Sequence, residues 1–313
     1  MEIWIHVADV NPQEFIMHKK YGSHPKPPIL LIHGGAGVYK DNQELLELRR
    51  SKIAEIVAQV WPLLRGGESA VKTVCRAVEL LEACPHFNAG LGAVIQSDGM
   101  VRLSASLMDG NKQKFSGVML ATHMVHPSKL AYALQDRDQT VVGPLGAQLL
   151  ARELGIPPEN PATPERIAQW MSYLEKQKKP PESHGTVGAV ALDKQGHLAA
   201  ATSTGGISCS IPERISDSAT VAGNYASKFA AVSCTGVGEQ IVNDGVAVKI
   251  ETRVRDGRSI IEASNQTCEE ASERQCQYGW VGIDSKGNWV MYCTTDEMPC
   301  WAMSLDNENA IIG

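Results

Sequence analysis

Residues 175–193 read EKQKKPPESHGTVGAVALD. Two kinds of chain meet there without a transition. Through Gly185 the stretch is polar and rich in Lys and Pro, the composition of an exposed linker; from Thr186 to Leu192 it is small and β-branched, the composition of a buried strand. A threonine at the head of a strand is ordinarily there for β-propensity. Here the linker gives access to it, and Gly185 permits an unusual backbone conformation just before it. A threonine hydroxyl is a weak nucleophile, but at a chain terminus it can use its own α-amine as base, which requires cutting the peptide bond that precedes it. The junction therefore predicts a precursor cleaved between Gly185 and Thr186, with Thr186 as nucleophile.

Upstream of this junction, Ile29 to His33 form an apolar run that breaks into Gly34, Gly35, Ala36 and Gly37, a buried strand feeding a tight glycine loop. Asp41 and Glu44 have the spacing of a capping box. Leu45, Leu48, Ile53, Ile56, Val57 and Val60 recur at helical spacing, and Val71, Val74, Val78 and Leu81 share one face of a second helix from Glu68. From Asn88 to Thr122 short Gly-punctuated segments read as strands, with a hairpin turn at Ser97, Asp98 and Gly99. Helices follow at Ser128–Leu134, Leu145–Glu153 and Pro164–Lys176, the last capped by Thr163.

Downstream, TVGAVALD, HLAAATST, ATVAG and AAVSC are closely spaced small-residue strands. Helices at Val237–Asp244 and Ser259–Arg274 and strands at Trp280–Asp284 and Trp289–Cys293 complete the pattern. Strands dominate the centre of both halves with helices outside, which suits stacked sheets between helical layers better than a βαβ repeat.

Composition excludes several functions. The 313 residues are 43% hydrophobic and 20% charged, enough for one large core or two modest ones. Lys and Arg number 29 against 35 Asp and Glu, a net charge of -6, with no basic run to track a phosphate backbone; no nucleic acid partner is expected. No segment approaches the roughly 20 apolar residues of a membrane span. The N-terminal stretch lacks a basic start and an apolar core, so no export and a cytoplasmic setting are expected. Eight cysteines are scattered without a CxxC pair or ligand-spaced His and read as reduced, buried small hydrophobes. The sequon at Asn265 reads as a chance triplet on a helix.

The motifs HGGAG (33–37), FNAGLGAV (87–94), MDG (108–110), HGTVGAVALD (184–193), AAATSTGG (199–206) and SCTGVGE (233–239) occur in that order. Together they resemble the plant-type asparaginases and isoaspartyl peptidases of the N-terminal-nucleophile hydrolase superfamily, from about Ile29 to about Thr295. The resemblance implies an α+β fold, a four-layer αββα sandwich forming one domain over 28–313 behind an N-terminal extension, 1–27. It implies cleavage into subunits 1–185 and 186–313 that stay intertwined and pair as a homodimer of αβ units. The substrates implied are L-asparagine and β-aspartyl dipeptides, attacked by Thr186 through a covalent β-aspartyl intermediate and released as aspartate, with no catalytic cofactor.

The same resemblance assigns roles. Thr235 and Gly236 would hold the oxyanion with a hydroxyl and a backbone N–H, donors of which one alone is worth roughly 3 kcal/mol; unaided, CTGVG reads as a strand-to-helix turn. Thr204 would hydrogen-bond the nucleophile, and Asn88 would orient its amine. Arg214 and Asp217 would grip the substrate's α-carboxylate and α-amine, beside Gly236 and Gly238; on residue type alone they read as a solvated ion pair. The backbone carbonyls of Leu81, Glu82, Cys84, Phe87, Ala89 and Leu91 would bind a structural sodium ion, an oxygen shell suited to a hard cation. His33 to Gly37 would pass close to the nucleophile.

One loop departs from the family. Where its members read close to NKxxGRVGDSP, this chain has SCSIPERISDSA, so that Glu213 and Ser216 replace glycines and Glu213 places a negative charge beside Arg214. Other readings are a degenerate member that binds without turning over, or a hydrolase like the threonine aspartases or glycosylasparaginases. The extension before residue 28 reads as an added edge strand or a tail.

Overall fold

The computed structural model describes residues 17–40, 42–176 and 185–305, and the backbone of 307–312. The chain begins with β1 (His18–Ser23) and β2 (Ile29–His33), followed by α1 (Gln43–Gly66) and α2 (Ala70–Glu82). Asn42 caps α1 by accepting from the Leu45 amide, where Asp41 was expected; Asp41 lies outside the described residues. Ser69 caps α2 in the same way through the Lys72 amide.

Next come β3 (Leu103–Asp109), β4 (Lys114–Ala121), α3 (Pro127–Leu134), β5 (Val141–Val142), α4 (Pro144–Glu153) and α5 (Pro164–Lys176). Thr163 caps α5 as expected, its hydroxyl accepting the Arg166 amide. The turn at Ser97–Gly99 exists, with Gly99 at φ +84° donating to the Gln96 carbonyl, but its flanks are not strands. The hairpin lies instead between β3 and β4. The linker 177–184 lies outside the described residues.

The second half holds β6 (Val187–Leu192), β7 (Leu198–Thr204), β8 (Asn224–Ala226) and β9 (Ala230–Gly236), then α6 (Gly238–Asp244), α7 (Val246–Arg255) and α8 (Ile260–Glu273). It closes with β10 (Tyr278–Asp284), β11 (Asn288–Cys293), β12 (Cys300–Ser304) and β13 (Asn307–Ile312). ATVAG is not a strand. Thr220 donates its hydroxyl to the Asp217 carbonyl and accepts the Ala222 amide, which winds the chain into a turn and delays the strand to Asn224.

The strands form two sheets, ordered β1-β11-β10-β9-β8 and β13-β12-β2-β6-β7-β3-β4-β5. β1 pairs antiparallel along the whole of β11, so residues 18–23 of the N-terminal extension are an edge strand. β12 pairs with β2 inside the larger sheet, which brings the C-terminal segment into the domain beyond Thr295.

Period-2 alternation sorts each inner strand between two cores. On β6, Val187, Ala189 and Ala191 pack under α1–α4, while Val190 and Leu192 face the smaller sheet; on β9, Val232 and Cys234 pack under α7 and α8, while Ala231 faces the larger sheet. Three cores separate four layers, helix, sheet, sheet, helix, the sandwich expected. Strands buried on both faces explain the small-residue composition of LAAAT and VGAVAL.

Candidate active site

The same alternation decides which side chains enter the gap between the sheets. It turns Thr186 and Gly188 of the β6 line, Thr202 and Thr204 of β7, Ser233 and Thr235 of β9, and His33 of β2 inward, at the end of the sandwich where β6 begins. Thr186 stands one residue before β6, with its hydroxyl donating to Thr204 Oγ1 at 3.1 Å and 3.5 Å from Ser218 Oγ. Thr204 Oγ1 also accepts the Gly206 amide at 3.0 Å, which fixes its orientation. While Gly185 is attached Thr186 has no free amine, so this is the geometry of the uncut chain.

At Gly185 the constraint is space. Gly35, at φ +106°, lies so close that a Cβ on it would stand 2.4 Å from Gly185 Cα, and a Cβ on Gly185 would stand 3.1 Å from that of Asn88. The HGGAG loop thus packs directly on Gly185, at the bond to Thr186. Asn88 borders Gly185, but its amide is engaged elsewhere, donating to the Gly206 carbonyl at 2.7 Å and accepting the Val94 amide at 3.0 Å.

Gly185, Thr186 and Thr204 line a small pocket together with Arg214, Asp217, Gly236 and Gly238, and Gly206, Ile207 and Ser216 complete it. Thr235 stands just behind, fully buried, with its hydroxyl oxygen accepting the Ala36 amide at 3.0 Å and its proton left to donate. Gly236 has φ +130° and no room for a side chain against Tyr278.

Arg214 forms a bidentate pair with Glu239, Nε to Oε1 at 2.8 Å and Nη2 to Oε2 at 2.6 Å, while its Nη1 lies beside Gly206. The Arg214 side chain is 10% exposed and that of Glu239 is half in solvent. Glu213, expected to crowd Arg214, is exposed and adds its field to Arg102 instead. It does hold a left-handed backbone, φ +62°, where the family places glycine, a strain of roughly 1–2 kcal/mol for a residue with a Cβ. Ser216, at φ -109°, needs no glycine.

Asp217 is fully buried between Gly223 and Gly238, and its Oδ2 has no hydrogen-bond partner. Burial raises its pKa to about 7, against the opposing pull of Arg214 and its own backbone. An orphaned carboxylate beside an arginine fork is matched to a ligand carrying both a cation and an anion. Ser218 and Glu239 are site residues that sequence reading missed; the first adjoins Asp217 and the second closes SCTGVGE, so both lay inside motifs already singled out.

Around the proposed sodium loop, Glu82 O would lie 2.1 Å from a Cβ on Gly90, and Phe87 O 2.0 Å from one on Gly92. Those carbonyls turn into the loop, and the absence of side chains at 90 and 92 makes room for them. Ala89 O accepts one amide at 3.2 Å and Cys84 O one at 3.4 Å, each keeping a second lone pair, while Leu81 O receives the Ala83 and Cys84 amides at the end of α2. The donor set fits a hard cation. Among the described residues no cluster of His, Cys, Asp or Glu could hold a metal ion, and no helix is long and apolar enough to cross a membrane. A wider cavity near the start of α2 holds Asp109 and Asp193, but both carboxylates accept backbone amides and none of the motif residues above except Asp109 and Asp193 reach it.

A sandwich of two sheets between helical layers, with a threonine hydroxyl at the head of an inner strand, defines an N-terminal-nucleophile hydrolase. The chain belongs to the asparaginase family, which it matches over residues 26–312. It is 42% identical to the isoaspartyl peptidase/L-asparaginase of Synechocystis sp., with 85% of each chain covered. It is 38% identical to the isoaspartyl peptidase of Salmonella typhimurium, covering 86% of this chain and 93% of that one. The isoaspartyl peptidase/L-asparaginase of Rattus norvegicus is 35% identical, with 88% and 85% covered.

Proposed function

We propose that this chain is a self-processing amidohydrolase that releases aspartate from L-asparagine and from β-aspartyl dipeptides. The observation that carries the reading is the pocket itself, which the Thr186–Thr204 hydroxyl pair shares with Arg214 and with Asp217, whose Oδ2 has no partner. In the precursor, Thr186 Oγ attacks the Gly185 carbonyl carbon, the C–N bond breaks to leave an ester and a free α-amine, and water hydrolyses the ester. In turnover, that amine takes the hydroxyl proton as Oγ attacks the substrate's side-chain carbonyl. The oxyanion is held by the Thr235 hydroxyl and the Gly236 N–H, the leaving ammonia or amine takes the proton back, and water then frees aspartate. Arg214 Nη1 meets the α-carboxylate and Asp217 the α-ammonium.

We further infer a homodimer of αβ units, a cytoplasmic setting in keeping with eight unbridged cysteines, and a sodium ion on the 81–91 carbonyls that stiffens the loop bearing Asn88. Native mass spectrometry of purified and aged protein tests these together, alongside turnover assays. The expected species is two copies of a pair of fragments, one ending at Gly185 and the other beginning at Thr186, each pair carrying one sodium. A lone pair would remove the dimer, and a sodium-free mass in sodium buffer would remove the ion. A matured protein inert to both substrates would overturn the substrate assignment, and an uncut chain that ages unchanged would favour a binding role.

A further inference from the structure

The catalytic groups just described are divided between the two sheets. Thr186 and Thr204 ride on β6 and β7 of the larger sheet, whereas Thr235 and Gly236 end β9 of the smaller one. Nucleophile and oxyanion donors must be held to about 0.5 Å of each other's productive placement. Most of the contact between the sheets is unsuited to that task, because Val190, Ala200, Ala231 and Met291 make apolar contacts that have no preferred direction.

Of the buried polar contacts that cross the gap, the Asn224 amide donates to the Ala200 carbonyl and the Ala36 amide to Thr235, while a third links side chains on three strands. His33 Nε2 and Ser233 Oγ lie 2.9 Å apart, and Ser233 Oγ lies 2.7 Å from Thr202 Oγ1. All three side chains are fully buried. Ser233 is two residues from Thr235 on the same face of β9, and Thr202 two residues from Thr204 on the same face of β7. His33 pairs with Gly188, two residues past Thr186. A Cβ on Gly188 would stand 2.0 Å from Ser233 Oγ and 2.6 Å from His33 Nε2, so β6 is bare at the point where the bridge passes over it. The bridge touches each functional strand one side-chain repeat inward from the reacting groups.

We propose that His33, Ser233 and Thr202 form a positioning bridge that locks the nucleophile strand against the oxyanion strand, so that self-cleavage and turnover both depend on it. This rests on the function proposed above. Burial holds the His33 pKa down at about 3, with the Thr186 backbone a weaker opposing influence, and its Nδ1 completes no hydrogen bond; the ring is a neutral, fixed strut.

The test uses the full chain with Ser233→Ala, Thr202→Val and Thr202→Ser, none of which adds bulk to the gap. Ser233→Ala is expected to lower kcat about 10- to 100-fold with KM within about threefold, and to slow cleavage at Gly185–Thr186 by a similar factor, while Tm moves a few degrees. Thr202→Val shows the same split, and Thr202→Ser, which keeps the hydroxyl, recovers most of the loss. Wild-type kcat and cleavage rate in Ser233→Ala overturn the proposal, as does a loss of activity matched by loss of folded protein. A wild-type chain inert to both substrates overturns the function instead. The bridge is then judged by cleavage rate and by the ¹⁵N shifts of His33, expected to report one neutral tautomer from about pH 5 to 8; a titrating or tautomer-exchanging ring overturns it.

Discussion

Thr186→Ala is expected to persist as a single 33.8 kDa chain under conditions in which the wild type separates into fragments ending at Gly185 and beginning at Thr186. Removing the hydroxyl removes both the attacking atom of self-cleavage and the nucleophile of turnover, so residual hydrolysis should fall by at least about 10⁴-fold. The substitution should not unfold the protein. Thr186 heads a strand held on both sides by β2 and β7, and the deleted group makes a neutral hydrogen bond to Thr204, worth about 1 kcal/mol net, and a longer 3.5 Å contact with Ser218. Intact mass and a melting curve on the same sample separate loss of chemistry from loss of fold. A Thr186→Ala chain that still breaks at residue 185 would remove Thr186 from its role.

Asp217→Asn is expected to trade function for stability. In the empty pocket the carboxyl is buried with its pKa raised to about 7, well above the unfolded value near 3.8, so the folded state favours the protonated form. Between about pH 4 and 7 folding therefore takes up a proton, and stability is lost as pH rises through that window, by up to about 4 kcal/mol above pH 7. The amide is never charged. Its melting temperature should exceed that of the wild type by several degrees at pH 8, with the gap narrowing below pH 7 and closing near pH 4. Turnover should respond in the opposite sense. Binding an α-ammonium requires the carboxylate, so wild-type KM for asparagine should rise about tenfold per unit as pH falls below 7, while the variant has a KM raised at least about 100-fold and flat across this range. Equal melting temperatures at pH 8 would show that Asp217 is not strained in the empty pocket.

Much of the architecture was legible because strands buried on both faces announce themselves as runs of small apolar residues, and because each helix presents one apolar face. What escaped was decided by tertiary contact. Residues 246–255, VAVKIETRVR, alternate apolar and polar as a strand would, yet form α7, because Val246, Ala247, Ile250 and Glu251 fall at helical spacing on the face buried against β9. β12 and β13 follow a turn at residues 294–299 in which no periodicity is visible, and only their pairing with β2 and with each other makes them strands. At the site, the junction at Thr186 could be read from residue type; the roles of Arg214 and Asp217 came only with the family resemblance, since by residue type they read as a solvated ion pair, whereas Arg214 pairs with Glu239 and Asp217 is buried. The reason for Gly185 could not, since it depends on Gly35 arriving from 150 residues away, nor could the reach of Glu239 to Arg214 across 25 residues.

The strand order carries a consequence for how the protein dies. β1 lies against β11, β2 lies between β12 and β6, and β3 lies against β7, so a cut at residue 185 leaves the two pieces alternating across both sheets. They cannot part without breaking four ladders. Before the cut, unfolding is unimolecular and the chain can find its way back alone. After it, refolding needs two different molecules to meet and interleave in both sheets, so the unfolding midpoint becomes concentration-dependent and recovery from heat or denaturant fails at low concentration. The proposed cleavage would thus act as a ratchet, converting a protein whose persistence is set by equilibrium into one whose persistence is set by how slowly it comes apart.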